Sequence, residues 1–412
     1  MRQPSNLETL INRSHPEQIR FLSELVRVPS DNPPGDCAQH AERTAVLLEA
    51  MGFTVERHAV PTADVLANGM ISATNLIVRH RFGPGPVIAL NAHGDVVPPG
   101  EGWTTDPYGA EIRDGVMYGR GVAVSKSDFA TYAFALKALQ GSGMSLRGTV
   151  ELHLTYDEET GGLVGPGWLL ERGLTRPDYA ISAGFTHNVT IAHNGCLHLE
   201  VKVEGRSAHA ARPDTGVDAL EAATKLLTSL YALRESYSAI TSAVPGIEHP
   251  TLVVGLINGG INTNVVPDVV VMRIDRRIIP EEFPDAVETG LIRHIEEVCA
   301  SIPGIRVATR RILLARPLTS VQGQGRLVSI IQRHAEAIVA ERISANGVPI
   351  YTDARHYSAA GIPTVLYGAG PHTLLEANGH RADEKLSMED LRMATQVVAL
   401  TLAELLSQDG DG

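Results

Sequence analysis

The sequence predicts an α/β protein: a mostly parallel sheet flanked by helices, interrupted by an inserted ferredoxin-like α+β domain. Three observations carry this expectation. Apolar runs such as Val87-Ile88-Ala89-Leu90 are continuous rather than alternating, as in strands covered on both faces. Strand and helix patterns alternate in the first and last parts of the chain, which implies crossover connections and parallel pairing. Between them the order becomes β-α-β-β-α-β, that of a ferredoxin-like module. At 412 residues the chain is also too long for one ordinary core. The expected organisation is therefore one domain in two pieces, 1–195 and 312–412, around an insertion at 196–311.

In chain order, Ser14-His15-Pro16-Glu17 has the form of a capping box, and Ile19, Phe21, Leu22, Leu25 and Val26 then follow a helical stripe. Residues 29–35 are a turn-rich break, and 39–51 a second helix stopped by Gly52. Short strands at 53–58 and 75–79 precede the run at 87–90, which Pro98-Pro99-Gly100 closes. A helix at 127–139 ends at Gly141-Ser142-Gly143, and a strand follows at 149–155. In the insertion, 197–203 alternates apolar and polar residues as a half-exposed strand does. A helix at 218–233, strands at 251–257 and 269–274, a helix at 281–300 and a strand at 306–309 complete it. The first style then resumes with a helix at 326–343, a strand at 364–366 and a last helix at 388–406.

Bulk properties exclude several classes of function. No stretch approaches the roughly eighteen uninterrupted apolar residues of a membrane span. The first residues, Met-Arg-Gln-Pro-Ser-Asn, lack the apolar core of a signal peptide. Cys37, Cys196 and Cys299 are too few and too scattered for a disulfide framework, so a reducing cytoplasm is expected. A net charge of −12 disfavours nucleic acid or an anionic membrane as partner. A small anionic substrate remains open, because local arginines can bind one.

The chemistry concentrates at strand ends. His93 and Asp95 follow the 87–90 run two residues apart, so in extended backbone they leave on the same side. A carboxylate so placed orients a histidine, the pairing found behind metals, although it also satisfies an ordinary buried histidine. Glu158 and Glu159 follow the 149–155 strand directly, and adjacent carboxylates there need a cation. One can be a ligand and the other a base for water. His380, before the last helix, completes with His93 and Glu159 a set of two histidines and one carboxylate. That is the ligand count of a hydrolytic metal site with a position left for water. Neither Gly83-Pro84-Gly85-Pro86 nor Gly368-Ala369-Gly370 leads into a nucleotide-binding motif, and no G-x-S-x-G elbow exists.

Six stretches now carry a resemblance: A-H-G-D-V-V-P (92–98), Y-G-R-G (118–121), T-Y-D-E-E-T-G-G (155–162), G-R-S-A-H-A-A-R-P (205–213), N-T-N-V-V-P-D (262–268) and T-D-A-R-H-Y-S-A-A-G-I-P (352–363). In content and order the chain resembles the aminoacylase, acetylornithine deacetylase and glutamate carboxypeptidase family of metal-dependent hydrolases. The resemblance implies a zinc-peptidase-like catalytic domain and an inserted domain that makes the contact of a homodimer, possibly within a larger homo-oligomer. It implies that His93, Glu159 and His380 are ligands, Asp95 the supporting carboxylate and Glu158 the base. It places His209 (from the partner subunit) and Asn264 at the substrate. Arg277 and Arg355 are further candidates for holding a substrate carboxylate, against a purely structural ion pair for each.

The departures shape the expected function. In the family pattern two metals are bridged by an aspartate three residues after Gly-Arg-Gly, where this chain has Val124. No acidic residue lies between Asp178 and Glu200, where a further ligand is expected. Two close dications would repel with little compensation, so one divalent transition metal per chain is expected, Mn²⁺ or Zn²⁺, with Co²⁺ or Fe²⁺ also suited. His187 and Asp128 are possible substitute ligands. The expected activity is hydrolysis of a C–N bond at this reduced site. Its first form is an aminohydrolase that deaminates an aromatic amino acid such as 5-nitroanthranilate, because an electron-poor ring stores charge without a second ion. The alternatives are an N-acyl amino acid amidohydrolase or dipeptidase, and a binding protein without catalysis.

Overall fold

The computed structural model describes residues 5–407. These form two compact units. The first holds the described residues up to Ile191, Ser320–Asn346, and those from Thr352 onward; the second holds Ala192–Thr319 and Gly347–Tyr351. The expected boundaries at 195/196 and 311/312 thus move to 191/192 and 319/320. The strand expected to end at 309 runs over Arg306–Ala315, paired along its length with Gly195–Glu204, and a bridge between His193 and Leu318 extends the closure.

The first unit is built on an eight-stranded sheet. Its order is Val55–Ala59, Thr74–Gly83, Gly148–Thr155, Val87–His93, Tyr179–Ser182, Thr364–Leu366, Asn188–His193 and Ser344–Val348. The four strands from Gly148–Thr155 to Thr364–Leu366 are parallel. Thr74–Gly83 is antiparallel to both its neighbours, and Asn188–His193 is antiparallel to Thr364–Leu366, so the parallel character belongs to the centre. In the centre His93 stands opposite Thr155, so both chemistry-bearing turns leave from the carboxyl edge of the sheet.

The helices Asn6–Val26, Lys126–Gly141 and Met388–Leu405 pack on one another. Nearly every side chain of Lys126–Gly141 is buried, which explains why its sequence is apolar all round. The first helix begins earlier than the sequence suggested. Ser5 is its N-cap: Ser5 Oγ accepts the Glu8 N–H at 3.2 Å and Glu8 accepts the Ser5 N–H. The expected box at Ser14 lies inside the helix, where Ser14 Oγ donates to the Ile11 carbonyl. A small antiparallel sheet of Glu111–Arg113, Val116–Tyr118 and Lys385–Ser387 was not legible, because three-residue strands carry no periodicity.

The second unit has the ferredoxin-like order Thr251–Gly259, Val269–Ile278, Gly195–Glu204, Arg306–Ala315, antiparallel throughout. Leu197, Leu199, Val201 and Val203 point alternately inward and bury against Ala223 and Leu226 of the helix Ala219–Ser236 and Leu291 and Ile295 of Pro284–Ala300. Among the described residues no helix is long and apolar enough to cross a membrane.

The cap assignment is testable by urea unfolding. Ser5→Ala should lower stability by ~1 kcal/mol, the usual cost of a lost N-cap. Ser14→Ala should leave the midpoint nearly unchanged.

Candidate metal centre

The centre grows from one buried carboxylate. Asp95 lies just beyond the strand Val87–His93, wholly buried, and both its oxygens accept hydrogen bonds. Oδ1 takes the Glu158 N–H at 3.2 Å; Oδ2 takes the Glu159 N–H at 3.1 Å and Asn32 Nδ2 at 3.0 Å. The turn at the end of one strand is thereby fastened to the end of its neighbour. His93 Nδ1 lies 2.9 Å from the Asp95 backbone carbonyl and 3.5 Å from Asp95 Oδ1. The main chain, more than the carboxylate, therefore orients the ring. In the neutral ring, donation from Nδ1 puts the lone pair on Nε2.

Glu158–Thr160 is a single 3₁₀ turn closed by Gly161 and Gly162. Gly162 has φ +68°, and a Cβ there would lie 2.2 Å from Asp353 Oδ1. Only glycine fits. Asp157 accepts the Val164 N–H at 2.6 Å, and Thr155 Oγ1 reaches Asp353 Oδ2 at 3.4 Å. The helix Ala354–Ala359 braces the turn from outside, with Arg355 donating to the Gly161 carbonyl and His356 Nε2 at 3.2 Å from it.

His380 comes from a segment tied down elsewhere. Glu384 and Arg120, each about 1% exposed, pair at 2.7 Å. Glu384 also accepts the N–H groups of Gly121, Ala123 and Val124 at 3.0–3.2 Å. His380 itself has φ +62° and a side chain 47% exposed, with Nε2 3.4 Å from Glu159 Oε1.

Ligand atoms of His93, Glu158 and Glu159 lie within 4.8 Å of one another. His380 joins this group through Glu159. The electrostatics ask for a cation. Burial pushes the Glu158 carboxyl up to about 8, with His93 opposing and Glu159 and Asp95 adding to the shift. Burial likewise raises Asp157 to about 7, and lifts Asp353 well above the carboxylate range. Burial disfavours a charged His93, yet Asp95, Glu158 and Glu159 hold its ring well above the usual imidazole range. Glu159 Oε1 is buried without a hydrogen bond. Buried carboxylates gathered beside a histidine fit a divalent cation, which His93, Glu159 and His380 could hold.

The structure brings His93, Asp95, Glu158, Glu159 and His380 together and sends the other expected residues elsewhere. Asp128 is fully buried, with its oxygens accepting the Gly184 and Ala369 N–H groups at 3.1 and 2.8 Å. His187 is held by Asp390 and Glu341. Neither belongs to the group of His93, Glu158 and Glu159. Arg355 is buried against the Gly161 carbonyl, a bracing contact rather than an open carboxylate receptor. In the second unit Arg277 is paired with Asp275, Nε to Oδ1 at 3.0 Å and Nη2 to Oδ2 at 3.1 Å. A bridge between His209 and Val265 sets exposed His209 beside exposed Asn264, whose carbonyl accepts the Ala210 N–H. Sequence reasoning missed Asn32, Arg120, Asp157, Asp353 and Glu384. Arg120, Asp157, Asp353 and Glu384 all lay in or beside singled-out stretches, but their buried partners are distant in the chain.

Comparison with known proteins agrees with this fold. Residues 89–404 match the profile of peptidase family M20/M25/M40. A succinyl-diaminopimelate desuccinylase of Rhizorhabdus wittichii is 29% identical, over 96% of this chain and 99% of its own. An acetylornithine deacetylase of Proteus mirabilis is 29% identical, over 92% of this chain and 94% of its own. Among solved structures, the Saccharomyces cerevisiae di-peptidase Dug1p superposes with a TM-score of 0.75 at 15% identity, covering 96% of this chain and 97% of its own. The Bacillus subtilis protein YXEP, a dinuclear metal-binding peptidase, gives 0.68 at 18% identity, covering 96% and 99%.

Asp95→Asn retains size but loses an acceptor for the Glu158 and Glu159 amides. Divalent-metal affinity, read by chelator competition, should fall about 10–100-fold, the usual effect of losing a supporting carboxylate. Unaltered affinity would remove Asp95 from the positioning role.

Proposed function

The chain belongs to peptidase family M20/M25/M40, and we propose that it is an amidohydrolase acting on an N-acyl amino acid or a dipeptide. It is a metal-dependent hydrolase of a C–N bond. The observation that carries the finer reading is the Asp95 carboxylate, which fixes Glu158 and Glu159 beside His93. The relatives named a desuccinylase and a deacetylase favour acyl removal over ring deamination.

His93, Glu159 and His380 would hold a single Mn²⁺, Zn²⁺ or similar ion, which when bound acidifies water and polarises a carbonyl. Glu158 accepts a proton from the water that attacks the acyl carbon. The C–O bond forms, the C–N bond breaks, and Glu158 returns the proton to the leaving nitrogen, giving a carboxylate and an amine. The single-ion reading is supported by Val124, apolar and half-buried, and by the backbone contacts that occupy Asp128. The exposure of His209 and Asn264 supports their assignment as substrate contacts. The edge strand Thr251–Gly259 leaves Val253, Leu256 and Ile257 exposed, which supports a homodimer through the inserted unit.

Val124 also favours one second reading, deamination of an electron-poor aromatic amine such as 5-nitroanthranilate, in which water's oxygen bonds to the ring carbon, the bond from that carbon to the amino nitrogen breaks and ammonia leaves. Product analysis separates the two. N-acetyl and N-succinyl amino acids, dipeptides and nitro-substituted anthranilates are offered to metal-loaded protein. Amine with carboxylate supports the amide reading, and ammonia with loss of the ring amine supports the second.

In either reaction Glu158→Gln should reduce kcat by several orders of magnitude while metal binding persists. Deprotonated Glu158 is the active form, so kcat/KM should rise with pH. Burial sets its carboxyl at about 8 without a cation, and a bound cation lowers it, so the acid limb belongs below about 8. A rate that falls with pH across this range would sink the base assignment.

A further inference from the structure

A second convergence of metal-ligating side chains lies outside the His93 group. His187 sits between the strands Tyr179–Ser182 and Asn188–His193, and its Nδ1 meets Glu341 Oε1 just beyond the helix Gln324–Val339. Its Nε2 lies 3.1 Å from Asp390 Oδ1 in the first turn of Met388–Leu405. His372 Nε2 approaches the same Glu341 oxygen at 3.2 Å. The two imidazoles stack with centroids 3.9 Å apart and planes 19° apart, so His372, 56% exposed, has to turn out of the stack before both rings can aim a lone pair at one ion. One ligand atom from each of His187, Glu341 and His372 lies within 4.8 Å of the others.

Without an ion the cluster is held by a proton: Asp390 and Glu341, one against each ring nitrogen, raise His187 above the usual imidazole range. Asp390 accepts from His187 Nε2, so when the ring gives up its other proton the lone pair lies on Nδ1, toward Glu341. Two electron-rich atoms then face each other unless a proton or a cation lies between them. A carboxylate behind a histidine whose other nitrogen meets a further carboxylate and a second histidine is the pattern of a supported metal ligand. Burial is graded suitably. The His187 and Asp390 side chains are 10% and 12% exposed, whereas His372 is 56% exposed, so an ion enters from solvent and water completes its shell.

We infer that His187 Nδ1, Glu341 Oε1 and His372 Nε2 bind one zinc-class divalent cation, separate from the His93 centre, with Asp390 as the orienting carboxylate. The ion displaces the proton held between His187 and Glu341 and releases it to solvent. His372 and His380 share the segment between the strands Thr364–Leu366 and Lys385–Ser387. The ion therefore pins the chain that presents His380.

Zn²⁺ alone is the probe, counted per chain after equilibrium dialysis of metal-stripped protein. His372→Ala should lose one equivalent relative to wild type, and His93→Ala/His372→Ala should lose one relative to His93→Ala. Asp390→Asn should keep the site but weaken it about 10–100-fold. Glu341→Gln repeats the test should His372→Ala fail to fold by circular dichroism. Equal stoichiometry within both pairs, or Zn²⁺ uptake at this site only at millimolar concentration, overturns the inference. None of these readouts requires hydrolysis, so the result stands apart from the proposed reaction.

Discussion

The centre depends on one wholly buried anion, the Asp95 carboxylate. A charge in such a place is tolerable only when donors surround it, and Asn32, Glu158 and Glu159 supply them. The contact converts a pairing of strands into a geometry of ligands. His93 stands opposite Thr155 in the parallel ladder, so His93 and the Glu158–Glu159 turn emerge side by side. Register is therefore part of the chemistry. A slip of one residue would turn each side chain to the opposite face of the sheet.

A second buried pair carries the far end of the chain to the same place. Arg120 and Glu384 meet where neither reaches water, and Glu384 gathers the amides of Gly121, Ala123 and Val124. Pairs of this kind add little net stability, but losing one partner strands the other charge. Their effect here is positional: Glu384 fixes the segment that presents His380. This also explains how the Gly119-Arg120-Gly121 stretch keeps a use although Val124 has no carboxylate. Its backbone binds Glu384, and backbone amides do not depend on which side chain follows.

The carboxylates around the turn divide by what they touch. Asp95 is spent on peptide N–H groups, one oxygen of Asp157 on the Val164 N–H, and Asp353 on Thr155 and the packing of Gly162. Glu158 and Glu159 keep oxygens for chemistry. Burial raises Glu158 toward neutrality, the range in which a carboxyl can both take and return a proton. Arg355 and Arg277, by contrast, are drawn into local contacts. A guanidinium that has already found a carbonyl or a carboxylate is a brace before it is a receptor.

The sequence by itself determined the class of both units, most elements and the main ligand candidates. Those features are written in local order: continuous apolar runs, the β-α-β-β-α-β succession, His93 two residues from Asp95, and Glu158 next to Glu159. Tertiary structure alone decided what each polar group is for. Asp95 reaches across 63 residues to Glu158, and Arg120 across 264 to Glu384. Asp128 and His187, plausible as substitute ligands by composition, are captured by Gly184 and Ala369 and by Glu341 and Asp390. The cap at Ser5 displaced the equally well-formed pattern at Ser14, because the helix extends through Pro16. Periodicity reports which face of an element is buried. Which buried donor meets which acceptor is fixed only when distant strands and loops close on one another, and no spacing along the chain encodes that distance.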